Sequence, residues 1–241
     1  ANAPAGSANA VRVMDFERAH GFWVEPGIQH FFLSTHHILG VPIGWPLIRP
    51  IADGLYDGHE LIALAFTLWV YFWRRDRFAL IRNVFVLTNL LGVLLYETFP
   101  LAPPRLATGL SYQGRPYHFL DTVFQGGGGV RLSFNEYAAM PSFHIAWALI
   151  VSAALVWMAR SLLVRLLAPL YPAIMLIVVI VTGNHYIADA LGAVAVVSVA
   201  ALVSTLIPPR HAGSAPLVRE QSQGLNERAE EMRENGRHGV A

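Results

Sequence analysis

The chain has 241 residues, 54% hydrophobic and only 14% charged, with a net charge of +1 and no cysteine. Soluble domains carry charge on about a quarter of their residues, so this composition argues against a soluble enzyme, and the absence of cysteine excludes a disulfide framework. Near-neutral charge without a basic aromatic patch gives no footing for nucleic acid.

The N-terminal segment, 1–27, has no basic stretch followed by an apolar core, so no cleavable signal peptide is expected. Residues 11–25 predict a short interfacial helix with Val13, Phe16, Phe22 and Trp23 towards lipid. An apolar run over 28–48 follows, weakened by His30, His36, His37 and two prolines. The spacing of these histidines matches no standard metal site, and they read as interfacial groups.

Five stronger apolar runs lie at 59–73, 79–98, 144–159, 162–182 and 186–207. They are of the order of the ~17–25 residues that cross a bilayer core. With 28–48 they predict an all-α, polytopic membrane protein, a bundle of six transmembrane helices spanning 28–207. The tail, 208–241, is polar, with at most a short helix near 225–234.

Every basic residue is arginine, a bias that fits a high-GC bacterial genome. Arginine-rich short loops stay in the cytoplasm. Arg74, Arg75, Arg77 and Arg82 follow the second run, Arg160 and Arg165 follow the fourth, and Arg210, Arg219, Arg228, Arg233 and Arg237 lie in the tail. Six spans put all three groups, and the N-terminus, on the cytoplasmic side of a bacterial inner membrane. The link 99–143 and the short link 183–185 then lie outside, as extracytoplasmic loops.

Chemistry concentrates at those outer ends. In "HYIAD", His185 and Asp189 are spaced i and i+4, on one face of a helix. A carboxylate there accepts from one ring nitrogen, fixes the tautomer and makes the other nitrogen a better nucleophile or base. A structural hydrogen bond between helices is the plainer alternative. A shared metal ion would need further protein ligands, with His144 the one obvious candidate, so no metal or other cofactor is expected.

"PSFH" opens a helix, with Ser142 as N-cap and His144 in its first turn. Helix N-termini favour phosphate, so Ser142 and the first N–H groups are candidates to hold phosphate oxygens beside His144. The outer link offers Arg105, after Pro103–Pro104, then Arg131 and Arg115 as cations, and arginine grips phosphate with a bidentate fork. Asn184, immediately before His185, joins the candidate substrate-binding residues. "GGGG" (126–129) reads as a plain loop. Asp53, Asp57, His59 and Glu60 share the outer end and are weaker candidates for a polyol or a divalent ion.

The set "YETFPLAPPR", "AAMPSFH" and "HYIAD" resembles the type 2 phosphatidic acid phosphatase superfamily, and within it the inositol phosphorylceramide synthases and their bacterial relatives. The resemblance covers about 55–207. It implies a phosphohistidine formed on His185, with Asp189 as its partner and His144 as general acid and later base. Two places depart from the phosphatase pattern. The first motif's Lys is absent, with Leu106 after Arg105, and Val178 and Val179 stand where phosphatases carry Ser-Arg.

The leading expectation is therefore a phosphotransferase. It would move a phospho-head-group, such as phosphoinositol, from a membrane phospholipid donor to a lipid or glycolipid alcohol acceptor. The alternative is a lipid phosphate or prenyl pyrophosphate phosphatase using water. A transporter built on the same His and Asp fits less well, because these groups gather at one membrane face rather than at the midplane.

Overall fold

The computed structural model describes residues 3–38, 41–107, 110–112, 114–122 and 135–207. Residues 1–206 form one compact unit. Two helices come first, α1 (Ala3–Ala19) and α2 (Glu25–Leu33). A hairpin of β1 (His36–Ile38) and β2 (Val41–Ile43) follows, antiparallel, with His36 opposite Ile43. The bundle consists of α3 (Trp45–Trp73), α4 (Arg75–Thr98), α5 (Phe143–Met158), α6 (Leu162–Leu167) continued by α7 (Leu170–Val181), and α8 (Ile187–Leu206). A second hairpin, β3 (Leu110–Tyr112) with β4 (Arg115–Tyr117), lies in the link between α4 and α5.

Three stretches are long and apolar enough to cross a membrane: Arg75–Thr98, Leu162–Val181 and Ile187–Leu206; Phe143–Met158 is a shorter apolar helix. The helices pack on small and branched side chains within the bundle, such as Ala146, Ala148, Val179 and Ala193, all buried. Outward they carry exposed Leu61, Trp73, Leu90, Leu94, Leu191 and Leu202. An apolar exterior of that extent is a liability in water and a match for lipid. The chain is a membrane protein.

The expected six spans are not all formed. Among the described residues the run 28–48 is not one helix but the end of α2, the first hairpin and the start of α3. Pro42 and Pro46 lack the N–H a continuous helix needs there. What remains is five consecutive rods in alternating directions: α3, α4, α5, α6–α7 and α8.

That count changes the position of the N-terminus. The α3–α4 and α5–α6 links meet at one end, where the Arg77 guanidinium sits 4.3 Å over the Trp157 ring. α1 lies at the opposite end, against the α4–α5 link. There the Ala102 N–H donates to Gly6 O at 3.1 Å and the Asn9 amide to Pro100 O at 2.8 Å. The expectation of an N-terminus on the arginine side is thus overturned. So is the lipid-facing set proposed for 11–25, in part: Phe16 is exposed, but Val13 is buried and Trp23 packs on Phe119 and Tyr186. The tail 208–241 and Gly126–Gly129 lie outside the described residues.

Candidate active site

The site is built where α7 gives way to α8. α7 ends at Thr182, whose hydroxyl donates to Val178 O at 2.9 Å and accepts the Asn184 amide at 3.0 Å. Gly183 follows with φ +73°, a left-handed conformation that glycine adopts without strain. A Cβ there would lie 2.7 Å from Leu120 O. The Gly183 carbonyl accepts the Arg105 N–H at 2.9 Å, docking the short 3-10 turn Pro104–Leu106 onto this corner.

His185 comes next, 6% exposed; contrary to the expectation that it shares a helix face with Asp189, it lies just before α8, while Asp189 is fully buried in the first turn of α8. His185 Nδ1 lies 3.1 Å from Asp189 Oδ2 and 2.9 Å from Ala139 O. Both are acceptors, so Nδ1 carries the proton and the opposite nitrogen, Nε2, holds the lone pair. Asp189 Oδ2 also accepts the Tyr186 N–H at 2.9 Å, while Oδ1 has no hydrogen-bond partner among the described residues. The Ala139 carbonyl is fixed in turn by the outer link. Ala139 N–H donates to Leu101 O at 3.3 Å and Leu101 N–H to Tyr137 O at 2.7 Å.

His144 sits in the first turn of α5, behind the N-cap Ser142, whose hydroxyl accepts the Ile145 N–H at 3.4 Å. Ser142 is fully buried and acts as that cap. The Tyr96 hydroxyl donates to Pro141 O at 2.7 Å, holding the entry to α5 against α4. The His144 and His185 rings are 5.8 Å apart, centroid to centroid. Tyr56 stacks on His144 at 4.1 Å, and His59 follows at 5.3 Å. His59 is fully buried, with Nδ1 2.6 Å from the Tyr171 hydroxyl.

Arg105 is the cation of the site. Its side chain is 8% exposed, Nη1 donates to Asn184 Oδ1, and Nε lies 3.6 Å from Asp121 Oδ2. Burial lowers its pKa below the ordinary value, against the pull of Tyr56, Asp121 and Glu136. A guanidinium starts so high that it stays charged.

The structure thus brings together His144, Ser142, Asn184, His185, Asp189 and Arg105. Arg131 lies outside the described residues, and Arg115 is exposed in β4. Val178 and Val179 are buried in the α7 packing and offer the site no polar side chain. The acidic candidates separate: His59 is buried beneath His144 while Glu60 on the same helix is exposed. Asp53 instead ties the outer link to α3, accepting from the Thr122 hydroxyl at 2.9 Å and from Arg49 Nε at 3.2 Å. Among the described residues no group of three His, Cys, Asp or Glu side chains is placed to hold a metal ion.

Several supporting residues carry no sequence signal. Gln29 of α2 is fully buried and donates to Leu120 O and Val181 O at 3.1 and 2.9 Å. It also accepts from the Tyr117 hydroxyl at 2.9 Å and the Leu120 N–H at 3.0 Å. Glu25 accepts the Ile187 N–H at 2.8 Å and Glu17 the Ala188 N–H at 2.7 Å.

As chemistry, the arrangement offers a nitrogen lone pair with its tautomer fixed, a second imidazole within one small group's width, a cation and a helix N-terminus. These suit a tetrahedral anion that exchanges an oxygen ligand.

Comparison with known proteins agrees. The model of a family described as the PAP2 superfamily matches residues 11–203. The crystal structure of Aquifex aeolicus LpxE is similar, with a TM-score of 0.51 and 15% identity, covering 75% of this chain and 94% of that one. At that identity the likeness is one of fold. No curated protein matches the chain.

Proposed function

The chain belongs to the PAP2 superfamily, and on that premise we propose that it is a membrane lipid-phosphate phosphatase working through a phosphohistidine on His185. The observation that carries this reading is the pair of acceptors, Asp189 Oδ2 and Ala139 O, on His185 Nδ1. In the neutral ring it leaves the lone pair on Nε2, the nitrogen that attacks. Nε2 attacks phosphorus, the P–O ester bond breaks, and protonated His144 gives its proton to the leaving alkoxide. Asp189 stabilises the cationic ring that results. A water then attacks phosphorus, losing its proton to His144; the N–P bond breaks and inorganic phosphate leaves. Arg105 holds the non-bridging oxygens.

The arginines at the end away from the site support a cytoplasmic placement of that end, and so an extracytoplasmic site in a bacterial inner membrane.

Transfer to an alcohol acceptor is the second reading, since it shares the covalent intermediate. The thin phosphate clamp favours it, with Val178 and Val179 buried in α7 and Arg105 the one cation described at the site. Purified enzyme given phosphatidate, with and without lipid alcohols, separates the two. Inorganic phosphate released in both cases, and lost in His185→Ala, supports the phosphatase. Release of diacylglycerol coupled to a new phosphorylated alcohol, without inorganic phosphate, supports transfer; no phosphoryl chemistry in either case refutes both.

A further inference from the structure

The first turn of α8 is held by two carboxyl groups that do not belong to the bundle. Glu17 lies in the last turn of α1 and Glu25 begins α2, and both are fully buried. Each accepts one free N–H of α8, Ala188 and Ile187 respectively. A helix N-terminus favours one negative charge, but this one already has Asp189 in its first turn. Three carboxyl groups therefore crowd one helix end, with no arginine paired to Glu17 or Glu25 among the described residues. Among the described residues neither Glu17 nor Glu25 forms an ion pair, and the nearby Arg18 is turned to Asp15 at 3.3 Å and lies over Trp23.

Three buried carboxylates at one place cannot all be ionised. Among the described residues the Oε2 atoms of Glu17 and Glu25 each lack a donor, and the two side chains adjoin. One proton held between them satisfies both.

We propose that Glu17 and Glu25 form a proton-sharing carboxyl pair, a positioning device that fixes the first turn of α8 and thereby the aim of Asp189 at His185, and that loss of its proton releases that turn. The pair is not in contact with the reacting atoms and acts through Asp189. The titratable groups that face it from the α8 side are Asp189, whose charge opposes a second one on Glu17, and the Tyr186 phenol, which the carboxyl groups hold in its neutral form. Burial first, and then Glu25, raise Glu17 from the ordinary carboxyl range to about 9.

The direction of the pH effect follows. A carboxyl whose pKa is higher in the folded protein binds its proton more tightly there than in the unfolded chain. Its contribution to stability is complete below the ordinary value of 4.5 and is lost as pH rises through about 9.

The proposal rests on the phosphatase reading only for its activity arm. Glu17→Gln supplies a permanent N–H where the shared proton was, and still accepts the Ala188 N–H. It is expected to keep near-wild-type kcat at neutral pH and to lose the alkaline fall near pH 9 that the shared proton predicts for wild type. Glu17→Ala removes the cap and is expected to lower kcat about 10²-fold at every pH, the scale set by a small misplacement of a reacting group. Asp15→Asn, exposed on the same helix, serves as the unaffected control. In parallel, the Tm of wild type should fall on going from neutral pH to above about 9, and that of Glu17→Gln should fall less. A Glu17→Gln protein with the wild-type alkaline limb and the wild-type pH dependence of Tm overturns the proposal. Should the chain turn over no phosphate ester, the Tm comparison alone decides, because it reads the shared proton without catalysis.

Discussion

Replacing Asp189 by Asn keeps the shape of the side chain and removes its charge. Asp189 Oδ2 receives two bonds, from His185 Nδ1 at 3.1 Å and from the Tyr186 N–H at 2.9 Å. Bonds to a charged group contribute about 1.5–3 kcal/mol and neutral ones about 0.5–1.5, so each weakens by about 1–1.5 kcal/mol. The Tyr186 bond is the same before and during reaction, so its loss falls on stability. The His185 bond is different, because the ring becomes cationic as Nε2 bonds phosphorus. A carboxylate and an imidazolium about 4 Å apart attract by about 4 kcal/mol at an effective dielectric of 20. Losing most of that raises the barrier by about 3–4 kcal/mol, so kcat should fall about 10²–10³-fold with KM little changed. The amide nitrogen would also occupy the place of Oδ1, which has no hydrogen-bond partner among the described residues, and leave a buried donor unpaired. A Tm loss matching about 1–3 kcal/mol should therefore accompany the kinetic change. Steady-state phosphate release from a short-chain phosphatidate in detergent, with Tm measured on the same preparation, gives both numbers. A variant with the expected Tm loss but kcat within about fivefold of wild type would show that Asp189 supports the fold and not the reaction.

Three further outcomes follow from the same geometry. His144→Asn should cost an alkyl phosphate about 10²–10⁴-fold in kcat, but a nitrophenyl phosphate far less, because that leaving group needs no proton; equal losses on both would remove His144 from proton transfer. Arg105→Lys should raise KM about tenfold or more by breaking the guanidinium's contacts with Asn184 and Asp121, whereas an unchanged KM would argue that phosphate is held elsewhere. Gly183→Ala places a Cβ 2.7 Å from Leu120 O at a backbone φ of +73°, and should destabilise the fold by about 1–3 kcal/mol, read as a lower Tm.

The sequence made the rods legible because their apolar length is a local property, as is the N-cap at Ser142. His185, Asp189 and His144 were legible from their spacing and from helix entry, although His185 meets Asp189 from the turn before α8 and not from a shared helix face. Arg105 was legible as a stiffly placed cation beside two prolines. What stayed hidden is non-local. Nothing in a linear chain says that Ala139 O reaches His185, across 46 positions, or that Glu17 and Glu25 cap α8 from more than 160 positions away. The 28–48 run misled because summed hydropathy ignores what Pro42 and Pro46 do to the backbone. That one error moved the N-terminal segment to the wrong end, since topology inferred by counting spans reverses with each span lost.

A covalent bond between phosphorus and His185 is the step on which the proposed reaction depends. Wild type and His144→Asn should be mixed with a radiolabelled aryl phosphate, quenched in alkali to preserve phosphohistidine, and digested for mass spectrometry. Label on the peptide carrying His185, accumulating in His144→Asn and absent from His185→Asn, is the predicted result. Full turnover in wild type with no label on His185, or with label on another side chain, would contradict it.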